Sequence, residues 1–448
     1  MNLPSTKAAI IIIKNVGTQM NSDDVILKPL SLREVLGDRD LHIPPYQRIY
    51  GWQEKTVNRL LNDLLTANFN VPYCMGNIIL QQKANGFDII DGQQRLVTLS
   101  LLLQELGMDE GVSLLDEKFE NLEAQRFIQY NKYLISNFCA RNSFDNKEHL
   151  LDKVPLNVLI LKDGSLDLAY TFFSNENSHG KPLSDYDLLK AHHLRYVQYE
   201  AQQMHLAHRW DEYMKKEKPE NVDYKLYELA LAIYIFRLRK WLNFEWWNEG
   251  DKYNVKHEFE ASPIVDAIPP FGEQFRYCEP IQGGTHFFEF TDKAIEKLKY
   301  FTGTKEFGMI HQLNTESFKL LRDTIEALMF AYFYKFGGSY LTEAMLLITR
   351  YVSQVRYENR RIYLSSVFER ARLSKIPLMI EQSTSPTFFL ATLNSINQSL
   401  MTLKQIKQKE QRHHDSDIRE RYNRRLKEVC FSNINEKELI LNRINIWE

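Results

Sequence analysis

A glycine turn between a short apolar run and a leucine-rich segment, in residues 87–106, constrains the fold of this chain most strongly. The apolar run ends at Ile89 and Ile90 and is typical of a buried strand. From Leu96 onward, leucines recur at helical spacing, which predicts a helix with one apolar face. The turn DGQQR, residues 91–95, joins the two. We therefore predict a strand that passes directly into a helix, as in an α/β or α+β unit.

The same turn contains the residue types of a phosphate site. The first N–H groups of a helix have no partner within the helix and lie at the positive end of its dipole, which suits an anion. Gly92 lets the backbone approach phosphate, and Arg95 could neutralise its charge. Gln93 and Gln94 could donate amide hydrogens, and Asp91 could bind Mg²⁺ or orient a water molecule. A structural interpretation is equally open, with a β-turn, a capped helix and Arg95 in a surface ion pair.

A second candidate segment lies upstream, at residues 42–52 (HIPPYQRIYGW). Its two prolines stiffen the backbone and fix the directions of the residues that follow. Tyr46 could stack on a base, and Arg48 could be a second phosphate clamp beside Gln47. The alternative is an extended, proline-rich linker. Trp52 is predicted to pack in the core rather than to contact a ligand.

A third segment, residues 170–190, combines a polar loop with a helix start. Lys181 could meet a phosphate, and Asn177 could bind a nucleotide or a metal ion. Ser184, followed three residues later by Asp187, resembles a capping box and predicts that a helix begins there. By itself, this segment favours a plain helix-entry loop.

Near the C-terminal end the chain is locally basic, although its formal net charge is −2. The overall charge provides no positive field, so any nucleic-acid binding must be local. One interpretation of this region is a patch for the DNA backbone or an acidic partner, and the alternative is a solvated helix face. The candidate residues of the patch are Arg419, Arg421, Arg424, Arg425 and Lys427.

Several other classes of site are disfavoured. There is no GxxxxGK[ST] loop and no strand-linked GxGxxG, so a P-loop or Rossmann nucleotide site is not expected. No histidines have HExxH spacing, and none gives the pattern expected of a His-Asn-His nuclease, in which His-x-x-Pro is followed by Asn. The four cysteines lie far apart, which argues against a disulfide framework and favours a reducing compartment. The apolar run at residues 8–13 is too short to span a bilayer and predicts a buried strand. We expect a cytoplasmic protein without membrane association.

The 448 residues predict at least two domains. Residues 1–195 mix strand-like and helical patterns, and residues 196–448 are mostly helical, with an irregular stretch near 250–290 that could separate two helical subdomains. Long apolar-periodic segments at 226–242, 318–336 and 342–357 predict helices in this second part. The fold class we expect is α+β, with an α/β domain at the N-terminus and a mostly helical region after it.

Three segments of this chain together resemble a known family. Residues 43–52 (IPPYQRIYGW), 76–80 (GNIIL) ahead of DGQQR, and 177–190 (NxxGKPLSxxDLLK) resemble the GmrS-type family of bacterial proteins, in order and in rough spacing. Its members form the NTPase half of GmrSD-like, modification-dependent restriction systems and occur in other anti-phage systems. Residues 283–288 resemble a further, weaker signature of the family.

The resemblance implies a ParB/sulfiredoxin-like N-terminal domain that binds a nucleoside triphosphate with Mg²⁺ and hydrolyses it at DGQQR. The implied nucleotide contacts are residues 92–95, opposite Tyr46, Gln47 and Arg48. The residues that we expect to act in hydrolysis are Asp91, Gln94, Arg95 and Arg48.

The chain departs from many relatives, which continue into a nuclease domain with a His-x-x-Pro motif, since residues 300–448 contain no such motif. We therefore expect a nuclease or second defence protein on another chain, together with DNA, as partners; homo-oligomerisation is left open. The leading hypothesis is an NTP-hydrolysing component of a restriction or anti-phage system. The alternatives are a non-catalytic nucleotide or DNA sensor and a nuclease with an unrecognised active site.

Overall fold

The computed structural model describes residues 25–66, 77–116, 119, 121–144, 147–162, 184–214, 227–245, 255–260, 276–278, 281–313, 315–359, 361–410 and 418–431. The chain divides into two compact units, Met1–His208 and Arg209–Glu448. The first unit contains a mixed sheet with helices, and the second is helical throughout its described residues. The expected α+β class is confirmed.

Five strands form the sheet of the first unit, in the order β1-β5-β3-β4-β2. The outer pair β1/β5 and the hairpin β3/β4 are antiparallel, whereas β5/β3 and β4/β2 are parallel. The strands are β1 Val25–Ser31, β2 Leu41–His42, β3 Asn77–Lys83, β4 Gly86–Asp91 and β5 Pro155–Leu161.

The first unit also contains helices that pack on the sheet. Two short segments are not α-helical: a π-helical turn, Arg33–Gly37, and a 3₁₀ turn, Ser113–Leu115. The α-helices are α1 Glu54–Thr66, α2 Gln93–Leu106, α3 Leu122–Arg141, α4 Lys147–Lys153, α5 Asp185–Leu194 and α6 Glu200–Met214. The division between the two units falls within α6.

The two faces of the sheet bury different partners, because successive side chains of a strand point to opposite sides. Ile78, Leu80 and Ile89 lie in the larger core, together with leucines of α1 and α2. Ile79 and Ile90 lie in a smaller apolar cluster on the other face, which includes Ala191 of α5. The end of β4 is therefore held between helices on both faces of the sheet.

The second unit is an assembly of helices around α11 and α12, which are almost continuously buried. A π-helical segment, Glu228–Ile235, leads into its first α-helix. The α-helices are α7 Phe236–Leu242, α8 Val255–Glu260, α9 Thr285–Thr302, α10 Lys305–His311, α11 Glu316–Phe336, α12 Leu341–Glu358, α13 Leu364–Leu373, α14 Ile376–Gln382, α15 Pro386–Gln398, α16 Leu403–Glu410 and α17 Ile418–Phe431.

Most of the elements that we predicted from periodicity are present. The strand before the glycine turn, the helix after it and the helices expected at 318–336 and 342–357 are found as β4, α2, α11 and α12. The helix expected at 226–242 is partly π-helical, and the stretch expected to be irregular contains α8 and the start of α9. The apolar run at 8–13 lies outside the described residues. Nowhere in the described part of the chain is a helix long and apolar enough to cross a membrane.

Candidate phosphate-binding site

The turn between β4 and α2 depends on a glycine. Gly92 has a φ of +99°, a conformation that residues with a Cβ rarely adopt. A Cβ at this position would lie 2.3 Å from Cδ1 of the buried Ile78. The Gly92 carbonyl accepts the backbone N–H groups of Arg95, at 3.0 Å, and Leu96, at 2.9 Å, so α2 begins directly at the turn. Among the described residues no side chain caps this helix start.

Gln47 fixes the proline-rich segment to the end of β4. Its Nε2 donates to the carbonyl oxygens of Ile89, at 2.8 Å, and Ile90, at 2.7 Å. The β3/β4 register shifts at this point, because Ile79 pairs with Asp91 whereas Leu80 pairs with Ile89. Such a bulge adds one residue to a strand and disturbs its ladder. The amide of Gln47 provides a donor for two carbonyls at this irregular position.

Gln94 makes a second connection, from the first turn of α2. Its Oε1 accepts the backbone N–H of Gly51 at 2.9 Å, and its Nε2 donates to the carbonyl of Ile49 at 3.1 Å. Gln94 was predicted to contact a nucleotide and to act in hydrolysis. The observed contacts give its amide a positioning role on the 42–52 segment.

Arg48 lies between these two attachments along the chain. The residue before it is bound to the end of β4, and the residue after it is bound to Gln94 at the start of α2. Further along, the hydroxyl of the buried Tyr50 is hydrogen-bonded to Thr98 of α2 at 2.8 Å and accepts from Asn131 of α3 at 2.9 Å. The backbone that carries Arg48 is therefore held beside the glycine turn. Trp52 packs against the larger core, as predicted.

Lys190 of α5 approaches the same segment and was not among the predicted site residues. It is only 3 % exposed, and its Nζ donates to the carbonyl of Gln47 at 3.4 Å. The predicted capping box at the start of α5 is confirmed, since Ser184 and Asp187 bond to each other's backbone N–H groups. A signal for Lys190 was present in the sequence: it shares the stripe of Tyr186 and Leu189 at helical spacing, so it lies on the buried face of the helix.

Asp91 and Arg95 stand at the two ends of the turn. Asp91 is the last residue of β4, and Arg95 donates from Nη1 to the carbonyl of Asn77 at 3.1 Å. Mg²⁺ bound to a nucleotide commonly takes one or two carboxylates and several phosphate oxygens, and a single aspartate at the turn fits that requirement. No group of three or more His, Cys, Asp or Glu side chains in the described part of the chain is arranged as a metal site.

Two predicted nucleotide contacts are used in packing. The Tyr46 ring packs against the apolar cluster that contains Ile79 and Ile90, and burial, with a smaller effect of Asp88, raises the pKa of its hydroxyl. This packing gives no support to stacking on a base. Gln93 is 5 % exposed, so a ligand contact would have to come from its backbone N–H. Asn177 and Lys181 lie outside the described residues.

The predicted basic patch needs one correction. Arg419 is 1 % exposed and donates from Nη1 to the carbonyl of Tyr357, at 3.3 Å, so it is not part of an exposed patch. Arg421, Arg424 and Lys427 are exposed, and Arg425 is partly exposed. Periodicity could have shown this, because Arg419 shares its helical stripe with the buried Tyr422.

Comparison with protein families divides the chain in a similar way to its structure. Residues 32–194 match the family described as the GmrSD restriction endonuclease N-terminal domain. Residues 202–411 match a family of unknown function, DUF7834. Comparison with curated proteins gives no match. The resemblance noted in the sequence is thereby confirmed for the unit that contains the site.

Proposed function

We propose that this chain is the nucleotide-hydrolysing component of a restriction or anti-phage defence system, because residues 32–194 match the family of GmrSD restriction endonuclease N-terminal domains. Its N-terminal domain would bind a nucleoside triphosphate with Mg²⁺ at the glycine turn. A nuclease on another chain, acting on DNA, would be the partner that the nucleotide state controls.

One observation carries this proposal: the three separate sequence segments meet at one helix start. Gln47 is bonded to the end of β4, Gln94 is bonded to the segment of Arg48, and Lys190 reaches the carbonyl of Gln47. The segments that carry Arg48, Arg95 and Lys190 are thus connected by hydrogen bonds close to the glycine turn. Helix starts with nearby cations are suited to phosphate groups.

Each residue of the site would have a distinct role in nucleotide binding or hydrolysis. Arg48 and Arg95 would neutralise charge on the phosphates, and Gly92 would let the backbone N–H groups of α2 face them. Asp91 would hold the Mg²⁺ ion, which supplies charge neutralisation for phosphoryl transfer. Gln47 and Gln94 would keep Arg48 in place. Such a transfer depends mainly on positioning and electrostatic stabilisation, which these groups can provide.

The test combines binding and turnover in the full chain. We expect Arg95→Ala and Arg48→Ala each to weaken binding of a fluorescent nucleotide analogue and to lower phosphate release at least about tenfold, since each removes a charge-assisted contact. Arg126→Ala is the matched control, because it removes an exposed arginine of α3 in the same unit. If Arg95→Ala and Arg48→Ala bind and turn over nucleotide like wild type while the fold is intact, the site assignment is wrong.

The engaged glutamine amides favour a second candidate, a nucleotide sensor that does no chemistry. Both amides bond to backbone groups, so neither is devoted to orienting an attacking water. Phosphate release measured with each NTP, with and without DNA, separates the two functions. Tight binding that Arg95→Ala abolishes, without turnover under any of these conditions, would favour the sensor.

A further inference from the structure

Helix α17 of the second unit separates its side chains into a buried stripe and a basic outer face. Arg419, Tyr422, Leu426 and Val429 are buried. Arg421, Arg424 and Lys427 are exposed. In the surrounding sequence, residues 404–428, nine Lys and Arg stand against five Asp and Glu, in a chain whose net charge is −2. The positive charge is therefore local.

The outer face keeps most of this charge uncompensated. Arg425 is paired with Glu428 at 3.2 Å, and Lys407 of α16 is paired with Glu420. Arg421, Arg424 and Lys427, by contrast, make no ion pair with any residue that the structure describes. Some other cations of the same unit are neutralised, in the pairs Arg239–Glu258, Arg372–Glu369 and Lys293–Glu296.

Among the described side chains of α17, none is an exposed apolar group of the kind that a protein partner would need as an anchor. Protein interfaces take most of their binding energy from a few buried aromatic or apolar side chains. Of the apolar residues of α17 whose side chains the structure describes, Tyr422, Leu426, Val429 and Cys430 are buried and Ile418 is half-buried. The exposed side chains described on α17 are Arg421, Arg424, Lys427 and Glu428. The three cations provide the charge and hydrogen-bond donors that bind phosphates of a nucleic-acid backbone.

We propose that the outer face of α17, formed by Arg421, Arg424 and Lys427, binds the phosphate backbone of duplex DNA without reading its sequence. The three cations extend over about 9 Å of helix axis, at 1.5 Å per residue. Lys404, exposed on α16, adds a further charge next to the Lys407–Glu420 contact that joins the two helices. Charge complementarity is the basis of this inference, and it does not depend on the nucleotide site.

The experiment measures binding of the full chain to a short random-sequence duplex between about 50 and 200 mM salt, where binding to phosphates depends steeply on salt. We expect Arg421→Ala/Arg424→Ala to lower the slope of log affinity against log salt by about 2, since each phosphate contact contributes roughly 1. Arg421→Lys/Arg424→Lys should keep most of the slope. The control is Lys299→Ala/Lys319→Ala, which removes two exposed cations from α9 and α11.

Each outcome decides the proposal. A reduced slope in the alanine pair alone, with circular dichroism equal to that of wild type, supports it. Absence of duplex binding by wild type at the lowest salt overturns it, as does an equal loss in the control pair. Binding of poly-glutamate without binding of duplex also overturns it and would assign the face to an acidic protein.

Discussion

At the scale of single residues, Gly92 determines whether the strand and the helix can meet at a tight turn. We expect Gly92→Ala to destabilise the first unit by about 1–3 kcal/mol, because alanine is strained at positive φ. Its Cβ would also lie 2.3 Å from Cδ1 of Ile78. Thermal unfolding followed by circular dichroism measures the effect.

A second substitution separates the backbone strain at positive φ from the steric contact with Ile78. Ile78→Val removes Cδ1, so it should recover part of the loss in Gly92→Ala, and a double-mutant cycle gives the size of that coupling. Gly337→Ala is the matched control, since Gly337 also has a positive φ, +62°, but no atom lies within 4 Å of its Cβ position. Additive effects of Gly92→Ala and Ile78→Val would contradict the steric part of this explanation.

Substitution of Gln94 tests whether its two backbone hydrogen bonds position the 42–52 segment. We expect Gln94→Leu to cost about 1–3 kcal/mol, because it leaves the N–H of Gly51 and the carbonyl of Ile49 without this partner. Hydrogen exchange at the Gly51 amide should accelerate. Gln94→Glu keeps an acceptor for Gly51 but places an oxygen against the Ile49 carbonyl, so Gly51 should remain better protected than in Gln94→Leu. Unchanged protection in Gln94→Leu would refute the assignment.

Which residues surround the turn could be predicted from the sequence, whereas the hydrogen bonds that they make could not. Gln94 was predicted to donate its amide hydrogens to phosphate and Gln47 was expected to contact the nucleotide, but both amides bond to the backbone. For Gln47 the reason is a bulge at the end of β4, where its amide donates to two carbonyls. Periodicity does not reveal a bulge, because one inserted residue changes only the pairing between strands. Lys190 was missed for a related reason: its partner is 143 residues away in sequence.

At the scale of elements, α5 depends on its first turn. Ser184→Ala removes the capping bond to the Asp187 N–H, and we expect a loss of about 1 kcal/mol with faster hydrogen exchange in α5. Asn121→Ala removes the cap of α3, whose side chain accepts from the N–H groups of Glu123 and Ala124, and should cost a similar amount. Only Ser184→Ala should also weaken nucleotide binding, because α5 carries Lys190. Equal effects on binding in both variants would contradict this difference.

Elements with strong periodicity were predictable, and β1 shows where that signal fails. Its residues 26–29 are exposed, so no alternation marks a buried face. Pro29 would argue against a strand, but β1 lies at the edge of the sheet, where a missing N–H is tolerated. Near its end, the N–H of Ser31 donates to Glu34 at 2.8 Å. These features limit pairing with another strand, and they can be interpreted only once the position of β1 in the sheet is known.

At the scale of the whole molecule, the second unit buries many groups in their neutral form. Burial raises the pKa of four tyrosine hydroxyls above the ordinary value for tyrosine: those of Tyr234, Tyr277, Tyr357 and Tyr422. Burial also raises the pKa of the Cys430 thiol to about 12. Composition could not indicate this, because the sequence does not show which of the 23 tyrosines are buried.

The sign of the resulting pH dependence follows from these shifts. A tyrosine or thiol whose pKa is raised on folding stabilises the protein fully below its unfolded pKa, about 8.5 for cysteine and 10 for tyrosine, and less as pH rises further. Each such group should cost up to about 1.4 kcal/mol per pH unit in that range. We therefore expect the second unit to lose stability progressively above about pH 9, and its buried tyrosines to ionise only as it unfolds. In recordings of tyrosinate absorbance and far-ultraviolet circular dichroism together, exposed tyrosines such as Tyr133 should ionise without loss of helix, whereas the remaining rise in tyrosinate should coincide with that loss. Tyr422→Phe should make the loss less steep, with the exposed Tyr133→Phe as control; tyrosinate formation at Tyr422 without loss of helix would contradict its burial.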